Sequence, residues 1–255
     1  MLVIIGSAIF IGLSLGLLGA GGSIITVPLL AYLVGFSEKE AIIGALFIVA
    51  CISGATALMN ARNGRIHIKS AAWLSITGIL GSSLATQLSK LLSGEIQFVL
   101  LSVVMLFAGW RMLKGQSSQA GLQNASRLRL TNVGIGLGGL TGLVGVGGGF
   151  LIVPALVTML HIPMKMAVPT SLTIIFFNAG AGFASHFMTN SALVNSLNWS
   201  ILLIFTAVGI AGSFIGQSIA NKLPQKHLKK GFAMLILVIA IGVLFHAISQ
   251  LIIGL

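Results

Sequence analysis

Residues 16–28 read GLLGAGGSIITVP and residues 142–154 read GLVGVGGGFLIVP, seven identities in thirteen at an offset of 126. Each stretch sets four or five glycines and a closing proline inside an apolar run. A continuous helix tolerates neither well, because glycine loses the most backbone entropy on ordering and proline removes a hydrogen bond. Two helix breaks at equivalent places are therefore predicted. The same offset pairs Gly54 with Gly180 and Trp73 with Trp199, and an offset of 131 pairs Gly81-Ser82 with Gly212-Ser213. The chain reads as a duplicated unit, residues 1–114 and 130–255, joined by a polar loop over 115–129.

The solvent around this duplication is lipid. Of 255 residues 56% are apolar and 7% charged, with a mean hydropathy of +1.09, against roughly 25% charged in a soluble domain. That excludes a cytosolic nucleotide-binding enzyme, a disulfide scaffold and a disordered tail. A lone Cys51 permits no internal disulfide and no metal cluster. Residues 1–18 lack the basic head of a signal peptide and read as mature chain. The fold expected is all-α and integral to the membrane. Its eight apolar segments cover about 2–34, 40–60, 70–90, 95–113, 130–160, 165–188, 198–221 and 231–253.

Charge sets the expected topology. Fourteen Lys and Arg face only Glu38, Glu40 and Glu95. Eight plain crossings divide the cations seven against seven. If the first and fifth segments enter and return on one side, the division becomes twelve against two, with only Lys39 and Lys90 on the minor side. The positive-inside rule prefers the second arrangement: six spans, two re-entrant hairpins and halves inverted with respect to each other. The basic residues sit in short loops as orientation anchors, so no nucleic-acid partner is expected.

In lipid an unwound stretch survives only where it is buried or lines a polar cavity, so paired breaks point to a transport site. The half-helices after the breaks begin at Gly21, Gly22, Ser23 and Ile24, and at Gly147, Gly148, Gly149 and Phe150. Each start carries about half a positive charge and presents backbone N–H groups without side-chain bulk. Two facing starts would cradle a small anion. For Gly12, Gly16, Gly134, Gly138 and Gly142 close helix packing is the better reading. GIGLGG at 134–139 fits a dinucleotide fingerprint only in letters, since no strand precedes it. An intramembrane hydrolase built on Ser14 or Ser23 with His186 is the weakest of the alternatives.

The paired motifs, the stretch VPTSLTIIFFNAGAGFASH (168–186) and the loop ARNGRIHIK (61–69) resemble the TauE/SafE family of membrane permeases over essentially the whole chain. The resemblance implies a non-enzymatic permease in a bacterial inner membrane. It further implies a small sulfur-containing anion such as sulfite, thiosulfate or a sulfonate, with export as the direction. It also makes Pro169-Thr170-Ser171 a polar entry to the sixth segment, opposite Ile43-Gly44-Ala45 in the first half.

Asn178, amid Phe176 and Phe177, reads equally as a substrate ligand or as glue between helices. No carboxylate lies within a span, so proton coupling would fall to His186 or His246. No cofactor or metal is expected. An anion channel and a permease for another small solute stay open as alternatives, and so does a homodimer.

Overall fold

The computed structural model describes residues 2–62, 64, 66–89, 94–114, 127–144, 149–189, 193–194 and 196–253. Its main elements are ten helices: α1 (Leu2–Leu18), α2 (Gly21–Leu29), α3 (Glu38–Arg62), α4 (Ile68–Ser89), α5 (Gly94–Lys114), α6 (Arg127–Val144), α7 (Gly149–Thr158), α8 (Met164–Thr189), α9 (Trp199–Lys222) and α10 (Gln225–Ile253). No strand occurs among the described residues. Among the described residues five helices are long and apolar enough to cross a bilayer, within α3, α5, α8, α9 and α10. The chain is an all-helical, multi-pass membrane protein.

Helix ends follow local chemistry. Glu40 closes the start of α3, its carboxylate accepting from the Ser37 amide at 3.0 Å and from the Ser37 hydroxyl at 2.7 Å. Asn198 caps α9 by accepting from the Ile201 amide at 3.3 Å. Pro224 precedes α10, which begins at Gln225, earlier than the apolar run starting near 231. The charged turn Gln225–Lys230 is helical because its amides find carbonyls at once, as His227 does at Pro224. Pro28 sits inside α2, and the helix widens into a π-turn over Leu30–Val34.

The helices interlock across the two halves of the chain. α1 packs along α9, α6 along α4, α3 along α8 and α5 along α10. Small residues set the first two contacts. A Cβ on Gly12 would overlap the Gly209 carbonyl, and one on Gly16 the Ser213 carbonyl. A Cβ on Gly138 would overlap the Gly78 carbonyl, and one on Gly142 the Ser82 carbonyl. Each contact of the first pair maps onto one of the second by the offsets of 126 and 131. The packing role expected of Gly12, Gly16, Gly138 and Gly142 is thus found, and Gly134 joins them against Thr77.

Contact registers give helix directions. Gly12 meets Gly209 and Gly16 meets Ser213, so α1 and α9 run parallel. Thr56 bonds Ser213 and Asn60 bonds Gln217, so α3 and α9 run parallel as well. In contrast Leu46 faces Gly182 while Gly54 faces Phe176, so α3 and α8 are antiparallel.

Candidate functional site

The first break is a chain reversal. Gly19 takes a left-handed φ of +78°, where a side chain would be strained, and its amide still reaches the Leu15 carbonyl at 2.8 Å. Beyond it a Cβ on Gly22 would lie 2.7 Å from the carbonyl oxygen of Ile11, eleven residues back. Only a chain that folds onto α1 brings those residues together. Glycine at 22 is therefore demanded by packing, and Gly21, boxed by Ser14 and Leu235, is likewise confined. The sequence reading gives these two glycines to the site, and the atoms nearest a Cβ on either constrain the residue type without bearing on the backbone amides.

Ser23 departs from the expected row of bare amides. Its N–H and its hydroxyl both donate to the Ala20 carbonyl, at 3.3 and 2.8 Å. The N-cap position, Ala20, contributes no side-chain acceptor to α2. The positive end of α2 thus carries no neutralising cap, and the Ser23 oxygen retains lone pairs.

The second break lies partly outside the described residues: Gly147 and Gly148 fall there, as do the side chains of Ile24, Phe150 and His246. Gly149 is described, and it opens α7. A Cβ there would stand 3.0 Å from the Ser23 hydroxyl and 3.0 Å from Ile175. Ser23 and Gly149 are equivalent positions of the two repeats, so the starts of α2 and α7 meet at the same residue of each motif. At the far end of this second unit Arg129, early in α6, donates to the Met159 carbonyl beyond α7 at 2.5 Å.

One helix spans both breaks. Val168 and Ser171 of α8 lie against Gly19, and Ile175 lies against Gly149. The Ser171 hydroxyl sits 3.0 Å from the Gly19 carbonyl and 2.7 Å from that of Val168, and is fully buried. Ser171 therefore belongs to the junction. Thr170, also fully buried, turns the other way and accepts from the His67 amide at 3.3 Å, fastening α8 to the loop before α4. Asn178 lies farther along α8 beside Gly78, its Oδ1 buried without a hydrogen-bond partner. His186, half-buried in the last turn of α8, is remote in sequence from the junction. No group of three or more metal-ligating side chains occurs among the described residues.

Among the described residues the junction is built from two helix starts, Ser23, Ser171 and the apolar Val168 and Ile175. The sequence reading missed a second polar feature. Thr56 and Ser213 share a hydrogen bond of 2.7 Å, and Asn60 donates to Gln217 at 2.7 Å, with all four side chains buried. The signal was present as polar residues four apart in each of two spans, one helical face apiece.

The long apolar helices define a multi-pass membrane protein. Residues 4–243 match the family described as Sulfite exporter TauE/SafE, and the chain belongs to it. A probable membrane transporter protein of Xylella fastidiosa is 31% identical over 260 residues, covering 99% of this chain and 98% of the relative. The probable membrane transporter protein YunE of Bacillus subtilis is 25% identical, covering 91% and 93%. A third, from Methanocaldococcus jannaschii, is 25% identical, covering 90% and 89%. No solved structure matches the chain. The protein is a multi-pass membrane transporter.

Proposed function

We propose that the protein is a secondary transporter for a small anion, a sulfur oxyanion or organosulfonate such as sulfite or thiosulfate. The anion binds where the starts of α2 and α7 meet, with Gly21–Ile24 on one side and Gly147–Phe150 on the other. The observation that carries this reading is the 3.0 Å approach between Ser23 Oγ and the Cβ position of Gly149, which brings the starts of α2 and α7 into contact. Two partial positive charges gathered at one place favour an anion seated beside them. Ser171 holds one break in place, and Asn178 supplies a polar group farther along the path.

The membrane topology belongs to the same proposal: six spans, with α1–α2 and α6–α7 as re-entrant hairpins, and repeats over 1–114 and 130–255. Helix directions support it. Eight plain crossings would make α3 and α9, the second and seventh segments, antiparallel, whereas they run parallel. They would also make α3 and α8 parallel, whereas those helices are antiparallel. The hairpin arrangement gives both directions and keeps twelve cations on one face, and the positive-inside rule favours that face as the cytoplasmic one of a bacterial inner membrane. Alternating exposure of the junction then moves the anion.

The test is uptake of radiolabelled sulfite and thiosulfate into proteoliposomes by wild type and Gly149→Ala. A methyl at 149 needs only side-chain ends to give way, so the variant folds. Its uptake is expected to fall by about tenfold, the scale of losing one helix-end interaction of about 1.4 kcal/mol. Unchanged uptake would remove the junction from the path. Single-channel currents above roughly 10³ ions per second would favour an anion channel over alternating access.

A further inference from the structure

At the basic end of the bundle a cleft of about 460 Å³ opens between α5, α6 and the turn after α7, lined by Arg111, Arg129, Asn132, Thr158 and His161. It is separate from the junction: Thr158 stands nine residues from Gly149, about 14 Å along α7. Two guanidinium groups and an imidazole from three different elements converge there. The chain offers them little internal counter-charge. Glu95 lies sixteen residues from Arg111 at the other end of α5, about 24 Å away along the helix, and Glu38 and Glu40 open α3 at that same opposite end.

The backbone is strained to place one of these groups. His161 takes a left-handed φ of +55° at the C-terminal turn of α7, where the Ile162 amide reaches the Leu156 carbonyl at 2.9 Å. The equivalent turn of the first repeat has the same bond, from the Phe36 amide to the Leu30 carbonyl at 3.1 Å, with Gly35 at the left-handed position. Glycine would serve at 161 without strain. In the first repeat the positions matching Arg129, Asn132 and His161 are Val3, Gly6 and Gly35. The polar cleft is therefore an addition to one face and not a by-product of the repeat.

Its surroundings are apolar and exposed. Leu128 and Met159 border it, and Val103, Phe107 and Trp110 run up the outer face of α5, each about half exposed. Arg111 sits over the Phe107 ring at 5.8 Å, so its cation lies where that apolar lane meets the cleft. A ligand that fits is a phosphate diester with hydrocarbon attached. We propose that this cleft binds the phosphate-bearing headgroup of an anionic phospholipid of the inner leaflet, its acyl chains lying along α5. Basic pockets between helices on the cytoplasmic side are suited to such headgroups. The site is independent of the transported anion.

The test uses full-length protein in a neutral detergent, with thermal stability and native mass spectrometry as readouts. Phosphatidylglycerol is added in mixed micelles, beside phosphatidylcholine and inorganic phosphate. Wild type is expected to retain and be stabilised by phosphatidylglycerol over phosphatidylcholine. Arg111→Gln should weaken that binding about fivefold, the scale of one arginine at an anionic surface. His161→Gly relieves the strained turn and so folds, yet should also bind the lipid more weakly. Equal phosphatidylglycerol binding by wild type and both variants would overturn the site. Stabilisation by inorganic phosphate as strong as by the lipid, and lost in Arg111→Gln, would assign the cleft to a soluble anion and overturn the lipid.

Discussion

The interface of α3 with α9 and that of α8 with α4 are equivalents under the internal repeat, yet their chemistry differs. The first is closed by a buried ladder, Thr56 to Ser213 and Asn60 to Gln217. At the matching positions of α8 stand His186 and Gly182, the latter packed against Leu46 of α3. Farther up, Ile52 fills the space against Gly209, while its equivalent Asn178 lies against Gly78 with an unpaired oxygen. Symmetry supplies the scaffold, and departures from it locate polar function. One interface is fastened near Arg62 and Lys222, at the basic end, while the other holds an unsatisfied amide within the span.

The largest effect expected from breaking this comparison comes from the glycines that both interfaces share. Gly16→Leu or Gly138→Leu drives a side chain into a facing carbonyl and should cost at least about 3 kcal/mol, abolishing a monodisperse peak in size-exclusion chromatography. Gly136→Leu, with open space around it, should elute as wild type. Next comes the ladder. Asn60→Leu strands the buried Gln217 amide and should lower stability by about 1–3 kcal/mol. The double change Asn60→Leu with Gln217→Leu should recover much of that loss in a thermal unfolding series. Asn178→Leu, which removes an already orphaned acceptor, should leave melting unchanged or raise it while reducing anion uptake.

Smaller effects sharpen the picture at the breaks. Ser171→Ala removes the hydroxyl that joins α8 to Gly19 and should cost about 1 kcal/mol, read as a lower melting temperature with slower uptake. The smallest change is His161→Gly, which relieves a left-handed backbone and should stabilise the lipid-free protein by up to about 1 kcal/mol.

The first break was legible in the sequence because glycine acts locally: its helix-disrupting chemistry needs no partner. The packing glycines were legible for the same reason, their spacing of four already marking one face. The ladder was not. Thr56 and Ser213 are 157 residues apart, as are Asn60 and Gln217, and only tertiary packing decides which polar face meets which. Nor could the sequence tell that Ser23 would spend its amide on Ala20, or that Gly21 and Gly22 would be confined by α1, since both follow from the sharpness of the reversal. The turn at His161 was equally hidden, because left-handed backbone is announced by glycine and here glycine occurs only in the other repeat.

The exchange of partners between the halves, α1 seated on α9 and α6 on α4, bears on ancestry and on assembly. On the inverted topology proposed above, a single half would have to find the mate for its glycine-lined groove on a second copy facing the opposite way across the bilayer. An unduplicated forerunner would then have needed to insert in both orientations at once, a demand that one fused polypeptide does not face.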